Sequence, residues 1–113
     1  MNTSVKLFIE SAGKSYVQVL KLSTRFPVVI GRLSSDLMLK DSTLSRKHCQ
    51  LIIEAGVLFI EDLGSSHGTE LNGARIKKMR LRIDDKIKLG DTRIKVLQID
   101  LPQRQISKSK GSF

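Results

Sequence analysis

Three clusters of small polar and cationic residues stand beside apolar runs: Ile30-Gly31-Arg32, Ser42-Thr43-Leu44-Ser45-Arg46-Lys47-His48, and Asp62-Leu63-Gly64-Ser65-Ser66-His67-Gly68-Thr69-Glu70-Leu71-Asn72-Gly73. An arginine supplies a planar fork of donors, serines and threonines supply short hydroxyls, and glycines leave backbone amides uncovered; together these suit a tetrahedral anion. Covalent chemistry is less well served. Gly13-Lys14-Ser15 looks like the end of a phosphate-binding loop, but position 8, where an earlier glycine should stand, is Phe8. Asp62, Ser65 and His67 have the residue types of a hydrolase triad without the strained turn that exposes its nucleophile. His48, Cys49 and His67 lack metal-ligand spacing. The clusters point to binding rather than an enzyme, with no cofactor and no metal.

Something rigid must hold such clusters together. Runs rich in Val, Ile and Leu recur at residues 5–9, 16–22, 27–30, 37–39, 49–53 and 57–60, a spacing that predicts an all-β sandwich. Val5, Leu7 and Ile9 stand at alternate positions, as do Cys49, Leu51 and Ile53, so each run has one face to bury. Ala12-Gly13, Ala55-Gly56, Asn72-Gly73 and Gly90-Asp91 supply turns between runs. The 113 residues suit one domain, and a 40% hydrophobic share excludes disorder throughout. An aromatic share of 4% leaves little for stacking bases. The expected domain is 5–99, preceded by an extension at 1–4 and followed by a flexible basic tail or linker at 100–113. The longest apolar run, residues 57–60, is far short of the roughly 20 residues that span a bilayer. With a lone Cys49 as well, an intracellular setting is expected, cytoplasmic or nuclear.

Residues 74–89 are ambiguous, because Ile76, Met79, Ile83 and Ile87 stand at helical spacing. Alternation at Leu81 and Ile83, and again at Ile87 and Leu89, with Asp84-Asp85 as a turn, favours two short strands. The chain's formal net charge is +9, and residues 75–95 carry nine Lys or Arg against three Asp or Glu. Arg80, Arg82, Lys86, Lys88, Arg93 and Lys95 alternate with apolar residues and are expected to share one basic sheet face. Such a face resists edge aggregation, or binds nucleic acid or an acidic partner.

In order and spacing, Gly31-Arg32, Ser34-Ser35-Asp36, Ser45-Arg46-Lys47-His48, Asp62-Leu63-Gly64-Ser65-Ser66, Gly68-Thr69 and Asn72-Gly73 resemble the forkhead-associated (FHA) domain. These residues occupy 31–73, and the strand pattern extends the likeness over about 5–99. The resemblance implies an eleven-stranded, antiparallel-rich β-sandwich whose apical loops bind phosphothreonine peptides. It gives phosphate contact to Arg32, Ser45, Arg46 and Ser66, and peptide contact to Thr43, Ser65 and His67. Gly31, His48, Gly68, Thr69 and Asn72 take structural roles. The chain is expected to be a monomer that reads a kinase's product, with phosphate-independent self-association as a further alternative.

His67 departs from the family, which has an asparagine there to hold the peptide main chain. A neutral imidazole offers one donor and one acceptor on opposite sides of a ring, not a compact fork. Its protonated form is a pure donor beside a dianion. Binding is therefore expected to strengthen modestly as pH falls from about 8 towards 6.5. Phosphothreonine carries about −1.5 to −2 charges, and each charge-assisted bond is worth roughly 1.5 to 3 kcal/mol. Three or four such bonds, less the cost of ordering a peptide, fit a micromolar dissociation constant of about −8 kcal/mol.

Overall fold

The first strand shows how this sequence makes sheets. β1 (Ser4–Ser11) buries Val5, Leu7, Ile9 and Ser11 and sends Lys6 and Glu10 to water, the period of two that a pleated strand imposes. The computed structural model describes residues 3–101, and ten more strands follow. They are β2 (Lys14–Lys21), β3 (Val28–Gly31), β4 (Leu37–Met38), β5 (Cys49–Glu54), β6 (Val57–Asp62), β7 (Thr69–Leu71), β8 (Ala74–Ile76), β9 (Lys78–Arg80), β10 (Lys86–Leu89) and β11 (Thr92–Asp100). No helix forms among the described residues, and therefore none long and apolar enough to cross a membrane.

The strands make a six-stranded sheet in the order β2-β1-β11-β10-β7-β8 and a five-stranded sheet in the order β4-β3-β5-β6-β9. Every recorded pairing is antiparallel except β3 with β4. Val5, Leu7, Ile9, Ile87, Leu89, Ile94 and Val96 of the first sheet, with Val28, Ile30, Cys49, Leu51, Leu58 and Ile60 of the second, belong to one buried core. Each full aliphatic burial is worth about 1.5–3 kcal/mol. This is the eleven-stranded sandwich expected from the sequence.

Four two-residue hairpins punctuate it; one, Gly90-Asp91 between β10 and β11, has Gly90 at φ 53°, and the other three share one geometry. Ala12 and Gly13 (φ 52° and 76°), Ala55 and Gly56 (52° and 77°), and Asn72 and Gly73 (52° and 88°) hold both central residues at positive φ, the turn that matches strand twist. Gly13-Lys14-Ser15 is thus the mouth of the β1–β2 hairpin. At the other end of the chain β11 returns to pair with β1, Val5 opposite Ile99, so the first sheet is closed by its most distant strands. The strands run from Ser4 to Asp100; the expected tail lies, from residue 102 onward, outside the described residues.

The segment at 74–95 corrects two expectations. The strand expected at Leu81 and Ile83 lies earlier, as β8 and β9, and Leu81 plugs the core from the following loop, 2% exposed. Asp84 turns that loop at φ 72°, and Asp85 secures it by accepting the Arg82 amide at 2.7 Å. Because β8 joins the six-stranded sheet and β9 the five-stranded one, the chain changes sheets at Lys77. The single basic face is therefore split. Lys86, Lys88, Arg93 and Lys95 stay together on the first sheet, whereas Arg80 lies on β9 of the second and Arg82 in the loop. Beside Arg80 on β9, Lys78 pairs with Glu54 at 2.7 Å.

Candidate functional site

β3 ends at Gly31 because nothing larger fits. A Cβ there would fall 2.0 Å from the Arg46 carbonyl oxygen and 2.8 Å from Ser35 Oγ. That closeness lets the loop between β4 and β5 continue alongside β3: Arg32 donates its amide to the Ser45 carbonyl (3.0 Å), Leu33 to that of Arg46 (3.2 Å), and His48 to that of Ile30 (2.9 Å). The Arg32 side chain is then anchored once, Nε donating to the Leu44 carbonyl at 3.1 Å. A guanidinium has five N–H donors. Among the described residues the four on its terminal nitrogens meet no acceptor, and the half-buried side chain makes no ion pair.

Ser45 joins this loop to the one between β6 and β7. Its Oγ accepts the Ser66 amide at 3.0 Å, which leaves its own hydroxyl proton free to donate. Ser66 is exposed, with no hydrogen bond to its hydroxyl among the described residues; Arg46, Lys47 and His67 are exposed too. His48 is 0% exposed and spans the same two loops. Its Nδ1 accepts the Ser45 amide at 3.1 Å, so the proton must sit on Nε2, which donates to the Gly68 carbonyl at 2.8 Å. Both ring nitrogens are thus committed to a neutral imidazole.

Two carboxylates stiffen the framework. Asp62 gathers the β6–β7 loop, one oxygen accepting the amides of Gly64 (3.0 Å) and Ser65 (3.1 Å) and the other the hydroxyls of Ser65 (2.6 Å) and Thr69 (2.7 Å). Asp41, 6% exposed, accepts the Thr43 amide (2.9 Å), the Thr43 hydroxyl (2.6 Å) and the Thr92 hydroxyl (2.7 Å). Since Thr92 spends its proton on Asp41, Ser11 is the donor in their 2.7 Å contact. Burial alone would push both carboxyls up. The bonds from Thr43 and Thr92 to Asp41, and from Ser65, Thr69 and Gly64 to Asp62, outweigh it and hold both below the ordinary aspartate range.

Two of the expected peptide contacts belong to this framework. Thr43 donates to Asp41 and accepts the Asp91 amide at 2.9 Å. Ser65, 8% exposed, donates to Asp62 and accepts the Gly68 amide at 2.9 Å. No histidine nitrogen bonds Ser65, so the triad types do not assemble among the described residues. Thr69 is buried under Asp62, Gly68 turns at φ 84°, and Asn72 caps the hairpin by accepting the Lys86 amide at 2.9 Å. Beside His67 opens a cleft of about 240 Å³, lined also by Thr43, Gly68, Glu70, Lys88, Gly90 and Asp91. Sequence reading missed Asp41 and Thr92. The Asp-x-Thr spacing at 41–43, which favours a side-chain-to-backbone turn, was the available signal for the first.

A sandwich of eleven strands with an anchored arginine and a free hydroxyl at its loop end defines a class, and comparison with known proteins agrees. The FHA domain family model matches residues 28–90, so the chain belongs to the FHA domain family. FhaB, an FHA domain-containing protein of Mycobacterium tuberculosis, is 36% identical over 72 residues, covering 62% of this chain and 46% of FhaB. The chain thus spans about half the length of that relative. An FHA domain solved in work on phosphothreonine-dependent FHA interactions superimposes with a TM-score of 0.74 at 30% identity, covering 88% of this chain and 100% of that one. The FhaA FHA domain complexed with the intracellular domain of Rv3910 does so with a TM-score of 0.68 at 32% identity, covering 82% and 99%.

Proposed function

We propose that this domain binds phosphothreonine-containing segments of partner proteins, as a non-catalytic module in kinase signalling inside the cell. The observation that carries the reading is Arg32, anchored through one N–H and left with its remaining donors unspent, beside a Ser45 hydroxyl whose proton is free. A phosphate dianion meets both needs, because its oxygens accept a fork of N–H donors and a hydroxyl together. Arg46 and the Ser66 hydroxyl add contacts from the rim, and His67 meets the peptide main chain. Thr43 and Ser65 work through the loops they tie to Asp41 and Asp62. The kinship with an FHA domain studied for phosphothreonine-dependent interactions supports this ligand.

Titration against a degenerate phosphothreonine peptide library tests it. A micromolar binder is expected, with negligible affinity for its unphosphorylated form. Arg32→Ala removes at least two charge-assisted bonds, at about 1.5 kcal/mol or more each, so affinity falls about 100-fold or further while thermal unfolding is retained. Binding left unchanged by that substitution overturns the site.

A further inference from the structure

The cleft beside His67 is lined by one lysine, Lys88, and that lysine begins a block of four cations on the outer face of the six-stranded sheet. Lys88 lies directly opposite Arg93, and Lys86 directly opposite Lys95, across the β10–β11 pairing. All four are exposed. Residues two apart on a strand share a face, so the four form a two-by-two array, about 7 Å along the strands and about 5 Å across them. Like charges directly opposite each other destabilise a sheet. Glu70 lies opposite Lys88 on the β7 side, and Glu10 opposite Arg93 on the β1 side, but neither forms an ion pair with the array among the described residues. Lys86 and Lys95 have no acidic residue opposite them: Lys95 faces Phe8 on β1.

From the register we infer that the preferred partner carries an acidic run adjoining its phosphothreonine, and that this run lies along Lys88, Arg93, Lys86 and Lys95 on the sheet's outer face. The inference rests on the phosphothreonine reading and specifies its ligand further. Continuity supports it, because Lys88 belongs both to the array and to the cleft shared by His67 and Gly68 of the phosphate-side loop. Spacing supports it as well. Alternate side chains of an extended peptide stand about 7 Å apart on one side, which matches the step from Lys88 to Lys86 and from Arg93 to Lys95. An acidic peptide relieves the crowded positive charge without needing aromatic residues to stack upon, which a single-stranded nucleic acid would favour.

The test compares three synthetic peptides sharing one phosphothreonine core taken from the library binder: one with neutral flanks, one with four glutamates before the core, and one with four after it. One acidic peptide should bind about tenfold more tightly than the neutral one at low salt, the advantage shrinking towards 0.5 M salt. The Lys86→Gln/Lys95→Gln variant, altered away from the phosphate-side loops, should lose most of that advantage. It should bind the neutral peptide within twofold of the unaltered domain. Equal affinity for all three peptides, or an advantage that survives the double substitution, overturns the acidic-run inference and leaves the phosphothreonine reading standing. A library that yields no phosphothreonine binder from which to take the core defeats that reading itself. An oligothymidylate that binds the array more tightly than the acidic peptides, and loses this in the same variant, reassigns the surface to nucleic acid.

Discussion

Asp41 and Asp62 do for the loops what no main-chain pairing does. Each is a carboxylate held below the ordinary aspartate range by several donors, so the unfolded chain binds protons more readily than the folded one. The stabilisation is complete above the unfolded aspartate value of about 3.9 and disappears as pH falls through the lower folded values. Urea midpoints measured between pH 7 and pH 2.5 should therefore decline below about pH 4. Asp62→Asn should be less stable than the parent at pH 7, with the two curves converging near pH 3. At this scale the sequence was readable where a residue's type dictates its use, as with Gly31, where the Arg46 carbonyl leaves no room for a side chain. It was not readable where a hydroxyl can face two ways: Ser65 and Thr43 suit a ligand as well as they suit Asp62 and Asp41, and only the fold chooses. Asp41 escaped notice because its partner Thr92 is 51 residues away.

Among the elements, the hairpins were the most legible, because a turn with positive φ at two successive residues calls for a glycine, which stands second in each of these pairs. The Asn72 turn has more at stake than the two alanine turns. Besides its φ of 52°, its side chain accepts the Lys86 amide and donates to Asp85, each at 2.9 Å, so it ties the β7–β8 hairpin to β10. Ala12 and Ala55 hold the same φ of 52°, so alanine at 72 can form the turn and loses chiefly those two bonds. Asn72→Ala should cost about 2 kcal/mol in a denaturant titration. A cost below about 0.5 kcal/mol would mean the side-chain bridge is immaterial. The strand expected at Leu81 and Ile83, and the single basic face built on it, were misread for a physical reason. Alternation assigns faces within one sheet and cannot say that a chain steps from one sheet to the other, which here happens at a single residue between β8 and β9.

At the scale of the whole molecule, β1 lies between β2 and β11, so the six-stranded sheet cannot be completed until both ends of the sandwich have met. Pairings this distant in sequence give high contact order, and relaxation in milliseconds to seconds is the corresponding expectation. Cys49 lies in the other sheet, 0% exposed at the start of its central strand β5, where burial pushes its thiol far up. A chemical consequence follows for a chain with one sulfhydryl: in the native molecule it is neither a nucleophile nor reachable. A dithiobis reagent at neutral pH therefore acts as a clock on transient opening. Colour should develop slowly, and accelerate with urea in step with the loss of β circular dichroism. Rapid, urea-independent colour would mean that this side of the sandwich breathes far more often than its packing allows.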